Sequence, residues 1–381
     1  MLMLLAIFAV TYVLIATEIV DKTIAAILGA TLVVFLHYTT YEQALSSIDM
    51  NVVFLLAGMM IMVDIMSETG IFEWVAVVVA QKVRGNGVAL LLLLLVITAL
   101  FSALLDNVTT VLLIAPLTIL ITQILELPTV PFLILEALFS NIGGTATLVG
   151  DPPNIIIGSA GKLSFNQFLL NLGPIVLILI VVGVAALVVL LRRRLHTTPA
   201  LRARITQAEP RRAILQPEKL APALGVFALV IAGFFGGRLI HVEPGIVALG
   251  GGFLMALVCR VDVHKVLRHV EWGTILFFAG LFMLVGALEE NQVFEKLGEH
   301  VVALTRGDLL LTAILILWFS AITSAIVDNV PLVISMIPLL QTVTAGFARQ
   351  MGLEGDPEMI RQTIQEPLLW SLALGACLGG N

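Results

Sequence analysis

Two apolar stretches of the chain, SALLDNVTTVLLIAPL at Ser102–Leu117 and SAIVDNVPLVISMIPL at Ser324–Leu339, carry an Asp-Asn pair at the same place. An ionised aspartate at the centre of a bilayer costs roughly 2.5–3.5 kcal/mol on insertion scales. Burying one twice at matched spacing therefore calls for a compensating role. The membrane setting follows from composition: 59% of the 381 residues are hydrophobic and 12% charged, whereas soluble domains carry roughly a quarter charged residues. Apolar runs approaching the ~20 residues that span a bilayer recur at Met3–Thr17, Thr23–Phe35, Val52–Met66, Phe168–Leu191, Leu220–Phe235 and Trp272–Leu288. The expected fold class is an all-α polytopic membrane protein, in a bacterial-type plasma membrane. The first run lacks a basic n-region and a small-residue cleavage site, so it reads as a retained span rather than a signal peptide.

The two stretches belong to a longer internal repeat. The offset 328 − 106 = 222 also relates Ala57-Gly58 to Ala279-Gly280, Glu68 to Glu290, Phe72-Glu73 to Phe294-Glu295 and Arg84-Gly85 to Arg306-Gly307. It relates Ser102 to Ser324 and Pro116 to Pro338 as well. Apolar segments match one another by chance at Leu, but not at this set of Gly, Pro and charged residues. The repeats are 1–191 and 220–381, joined by a basic loop at 192–219 that holds eight of the twenty Lys and Arg residues and is expected to be cytoplasmic. The earlier helices of the halves occupy 1–87 and 220–307; a hairpin and broken helix at 88–160 and a closing span at 168–191 follow in the first half, and a hairpin at 308–348 and the start of a broken helix at 367–381 in the second.

Crossings in the first half fall near 2–20, 23–38, 52–66, 129–160 and 168–191, an odd number if 88–124 re-enters. The second half then has inverted topology. Charge agrees: Lys22, Lys82, Arg84, Arg260, Lys265 and Arg268 fall on the side of the basic loop, and the segments at 39–51 and 289–300 on the other. Inverted repeats are an architecture of secondary transporters.

A re-entrant hairpin places Asp106, Asn107, Thr109 and Thr110 at its tip, beside the exposed NH groups of its second arm, and Ser324, Asp328 and Asn329 at the matching tip. Oxygen clusters suit a hard cation and helix N-termini an anion. Na⁺ at Asp106, Asn107, Asp328 and Asn329 is one expectation, and N-capping by the two aspartates the plain alternative. A second polar island, SNIGGTATLVGDPPN at Ser140–Asn154, cannot form one continuous helix, because Gly143, Gly144, Gly150, Pro152 and Pro153 interrupt it. A broken span exposes Asn141, Gly143, Gly144, Thr145, Asp151 and Asn154 to an ion or anion; the alternative is a plain loop outside the membrane. Gly379, Gly380 and Asn381 mark its second copy at an offset of 379 − 143 = 236, so the second half carries about 14 extra residues, placed at 349–365.

Together the motifs at Ser102–Leu117, Ser140–Asn154 and Ser324–Leu339 resemble those of the ion-transporter superfamily of arsenite permeases, sodium–proton antiporters and citrate and dicarboxylate carriers, nearest the melanosomal P-protein branch. The resemblance covers nearly the whole chain. It implies an elevator-like carrier, often a homodimer, with a further span after the second broken helix. Dicarboxylate carriers read Ser-Asn-Thr at the hairpin tip where this chain has Asp106-Asn107-Val108, a departure that puts dicarboxylate selectivity in question.

The functional expectation is a secondary active transporter of a small ion, oxyanion or carboxylate, coupled to H⁺ or Na⁺, because proton and cation compete for the same carboxylates. No organic cofactor and no nucleic-acid partner are expected; the partners are the bilayer, a small ionic substrate and a second copy of the chain. A channel shares the need for buried polar groups. An enzyme is the reading from another class, but HExxH pairs, GxSxG elbows and phosphate-binding glycine loops are missing from the sequence. Cys259 and Cys377 lie in apolar surroundings, the six histidines lack metal-ligand spacing, and the net charge of −6 says little about partners. In a background lacking both cysteines, single cysteines at Ser46 and Thr206 are expected to react with impermeant maleimides from opposite membrane faces; same-side labelling overturns the odd crossing count.

Overall fold

A computed structural model describes residues 1–380 except 85, 192–194, 196–197, 199–208, 241 and 354. Asn381, Gly85 and most of the basic loop thus lie outside the described residues. All regular structure among the described residues is helical. The first half runs α1 (Leu2–Thr17), α2 (Lys22–Phe35), α3 (Tyr41–Ser46), α4 (Met50–Glu68), α5 (Ile71–Lys82), α6 (Gly87–Ser102), α7 (Asn107–Ile124), α8 (Thr129–Gly144), α9 (Pro152–Gly161), α10 (Phe165–Asn171) and α11 (Gly173–Leu191). The second half runs α12 (Pro217–Ile240), α13 (Pro244–Val258), α14 (Val263–His269), α15 (Trp272–Glu290), α16 (Val293–Leu304), α17 (Leu309–Ser324), α18 (Asn329–Met351), the short α19 (Pro357–Ile360) with a π turn at Arg361–Gln365, and α20 (Glu366–Gly379).

Helix ends follow the sequence offset. Both ends of α4, α5 and α6 recur in α15, α16 and α17, each 222 residues on, and α2 and α7 share their starts with α13 and α18. Local chemistry explains the agreement. Asn86 accepts the Ala89 NH at 3.1 Å and Asp308 accepts the Leu311 NH at 3.0 Å, so α6 and α17 begin on the same kind of cap at matched positions. The residues that distinguish the halves lengthen α18 to Met351 and add α19 and the π turn.

Among the described residues, six helices are long and apolar enough to cross a membrane: α4, α7, α11, α12 over Pro217–Gly237, α15 and α18. The pair α16 and α17, bent by 119°, makes up to seven. α6 has 16 residues and so rises about 24 Å, short of the ~30 Å hydrocarbon core. α11 leaves Leu177, Ile178, Val181, Val182, Val189 and Leu190 exposed. Such a surface suits lipid contact and would be costly in water.

The chain divides into two compact units, neither contiguous in sequence. One comprises Met1–Leu56, Pro152–Leu163 and Glu271–Gly380. The other comprises Ala57–Asp151 and Ser164–Val270. In the first, α15 crosses α2 at Gly280, where a Cβ would stand 2.9 Å from the carbonyl carbon of Ala26. In the second, α4 meets α13 at Gly58, where a Cβ would stand 2.3 Å from the carbonyl carbon of Ala248. Both residues of one contact map onto both residues of the other by the same offset. Each half therefore lends its second helix to a glycine of the other half, the small-residue packing that membrane helices use to bring backbones close. Gly58→Val and Gly280→Val are expected to destabilise the folded protein by about 1–3 kcal/mol, read as loss of the monodisperse peak on heating. Gly250→Ala, which meets nothing within 4 Å, is the control that leaves the peak unchanged.

Candidate ion and substrate site

The second unit builds its site from the α6–α7 turn and the broken end of α8. Buried backbone must find hydrogen-bond partners inside the protein, and the turn finds them on α8. Ser102 Oγ donates to the Ser140 carbonyl at 2.7 Å, and Ser140 Oγ donates to the Asn107 carbonyl at 2.9 Å. Asn107 Nδ2 donates to Asn141 Oδ1 at 2.9 Å, and Thr145 Oγ1 to the Asn141 carbonyl at 2.8 Å. Beyond the break, the Thr147 hydroxyl donates to the Ala103 carbonyl and accepts the Gly150 NH at 3.1 Å. Asp106 caps α7 by accepting the Thr109 NH at 2.8 Å. Ser102, Thr110, Ser140 and Thr145 are fully buried, and Asp151 is buried in the turn that follows.

This stitching needs glycine. A Cβ at Gly143 would lie 2.1 Å from the Ala99 carbonyl oxygen, and one at Gly144 would lie 2.4 Å from that of Gly150. The first unit repeats the contact with the second copy of the motifs. Ser324 Oγ donates to the Ala376 carbonyl at 2.6 Å. A Cβ at Gly379 would lie 2.3 Å from the Ala321 carbonyl oxygen, and one at Gly380 would lie 3.6 Å from Ser324 Oγ. Ala321 and Ser324 are offset equivalents of Ala99 and Ser102, as Ala376 and Gly379 are of Ser140 and Gly143 at the larger offset.

The two tips then differ. Asp328, which begins α18 ahead of Asn329, holds the Lys22 ammonium at 2.9 Å on Oδ2 and accepts the Val330 NH at 3.5 Å on Oδ1. Lys22 also stands 5.2 Å from the centre of the Phe277 ring. Lys22 entered the sequence reading only as a side-of-membrane marker; the fold brings it to the second tip. Asn154, grouped in the sequence with the first broken span, lies in the first unit, where its Oδ1 accepts from the Cys377 thiol at 3.4 Å. α9, which carries Asn154, packs there on α18 and α20.

Each tip thus combines a helix N-terminus, a carboxylate and amide or hydroxyl oxygens, the donor types that hold small ions. Compared with known proteins, residues 12–375 match the profile of the citrate transporter family, CitMHS. The chain belongs to that family. A 46 kDa membrane protein of Mycobacterium leprae is 42% identical over 99% of this chain and 86% of its own length. An uncharacterized transporter of Mycobacterium tuberculosis is 42% identical over 98% of this chain and 85% of its own. The P protein of Homo sapiens is 33% identical over 99% of this chain and 53% of its own. As a member of the citrate transporter family, this chain is a multi-pass membrane transporter.

Sequence reading missed Ser140 and Thr147, which lie inside the quoted island and whose hydroxyls donate to backbone carbonyls, and Lys22, which is 306 residues from its partner. It also passed over Glu136, the lone carboxyl of the run TVPFLILEALF, which the cost of an intramembrane charge should have flagged. A double-mutant cycle of Lys22→Met and Asp328→Asn, read by chemical denaturation, is expected to give a coupling of about 1 kcal/mol or less, because 47% and 33% of the two side chains stay exposed. Strict additivity would show that the pair does not form.

Proposed function

We propose that this transporter is a secondary active carrier of a small carboxylate or related oxyanion, coupled to Na⁺ or H⁺. The observation that carries the reading is the matched pair of tip-and-break modules, Ser102–Asp106 on Ser140–Gly144 and Ser324–Asp328 on Ala376–Gly380. An anionic substrate approaching a helix N-terminus that already holds an aspartate meets like charge, and a co-bound cation removes that repulsion. Coupling then follows from electrostatics: substrate binds well only where a cation has bound. At Asp328 the protein supplies a tethered cation, Lys22. At the first tip we assign a soluble-ion site to Asp106, Asn107, Asn141 and the hydroxyls of Thr109 and Thr110. The family's description names citrate, which makes citrate the first substrate to test.

Alternating access is elevator-like in this account, with the hairpins and broken helices sliding against the remaining helices of two inverted repeats, in a homodimer. The matched helix boundaries and the exchanged glycine contacts support a repeat of this kind. In proteoliposomes, citrate uptake is expected to rise with an inward Na⁺ or H⁺ gradient. Asp106→Asn is expected to abolish that dependence in folded protein, and Asp328→Asn to weaken it with the loss of the Lys22 pair. If both variants take up citrate with unchanged ion dependence, the aspartates are helix caps and the coupling site lies elsewhere.

A further inference from the structure

Glu136 lies midway along α8, 1% exposed, between Phe132 and Phe139 of a buried apolar cluster that includes Leu91, Leu94, Leu95 and Ile121. Its Oε1 accepts the Thr118 hydroxyl at 2.5 Å, and its Oε2 has no hydrogen-bond partner among the described residues. The helices packed on α8 are α6, α7 and α11. None of the three contains a titratable or charged side chain. The charged residues that flank them in the chain and are described are Arg84, three residues before α6, Asp106 at the N-cap of α7 and Glu126 after its end. An isolated carboxylate in such surroundings costs several kcal/mol unless it is neutralised.

The second repeat shows that packing does not require this carboxyl. At the matching positions stand Leu372 for Glu136 and Leu340 for Thr118, 0% and 2% exposed. The two polar residues were placed together in one repeat and the two leucines in the other. A metal cation is a poor occupant, since hard cations take about six oxygens and this position offers a carboxyl and one hydroxyl. A proton needs only Oε2.

We propose that Glu136 is a proton-binding site of the first repeat, separate from the carboxylates at the hairpin tips. A proton from water goes onto Oε2 while Thr118 donates to Oε1, and it returns to water when the hairpin moves and opens the contact. Pro116, two residues before Thr118, withholds one backbone hydrogen bond from α7, which makes that part of the arm the easiest to bend. The site gives the carrier a proton to move along with its substrate. That coupling rests on the transporter reading above, whereas the protonation itself does not.

Infrared difference spectroscopy of the full chain in nanodiscs separates the two. Glu136→Gln is expected to remove a protonated carboxylic C=O band that Thr118→Val shifts and Asp106→Asn leaves in place. Glu136→Leu, which copies the second repeat, is expected to fold and to lose the pH-gradient dependence of citrate uptake. No band lost in Glu136→Gln overturns the proposal even if uptake is robust. A band lost while Glu136→Leu keeps wild-type pH-gradient dependence also overturns it, leaving Glu136 a structural acid. If wild-type protein moves no citrate, the band alone decides protonation and the failure belongs to the substrate assignment.

Discussion

The structure depends on a serine hydroxyl that reaches across from a hairpin arm to a carbonyl of the helix beside it. Ser102 makes this bond to Ser140, and Ser324 makes it to Ala376. A chain that turns back or breaks inside hydrocarbon frees backbone groups that water cannot satisfy, so each must be met by protein. The serines, with Thr147 on the Ala103 carbonyl, meet that need. They can do so only because Gly143 and Gly379 let the backbones touch. The polar tip is therefore not an ornament on an apolar bundle. Without these contacts the backbone groups of the turn and the break would lose their partners, and the aspartates would have no fixed position.

Duplication and divergence then divide the labour. The shared features, glycines, serines, N-caps and helix ends, are those that stitch each turn to the helix beside it. The features that differ are polar and charged side chains: Lys22 on Asp328, Asn141 where the second copy has Cys377, and Glu136 where it has Leu372. A carrier needs a framework that is the same in both halves and ion chemistry that is not, since coupling requires that bound and empty sites differ in charge. The tethered ammonium on one tip and the carboxyl within the other repeat are two solutions to the same electrostatic problem.

Much of this was legible in sequence because its causes are local. Helix ends repeat since caps such as Asn86 and Asp308 repeat, and the break after Gly144 is written in Gly150, Pro152 and Pro153. The first tip's companions were likewise adjacent in the quoted island. What was not legible depends on distant parts of the chain. Lys22 carries no local mark of its pairing with Asp328. Nor does the sequence show that α9 joins the unit of the second hairpin, where Asn154 meets Cys377. Glu136 was visible as a lone acid, but Thr118 as its partner required the fold.

The central claim is that the first hairpin tip lies on a water-filled route within the membrane, at a place where substrate and ion bind. Val108, 56% exposed beside the Asp106-Asn107 pair, reports on it directly. In reconstituted protein lacking Cys259 and Cys377, a Val108→Cys variant should react with a hydrophilic, membrane-impermeant maleimide, and citrate with Na⁺ should slow that reaction. A cysteine that never reacts would place the tip against lipid, and a rate indifferent to citrate and Na⁺ would place it in an ordinary surface turn; either result would contradict the account.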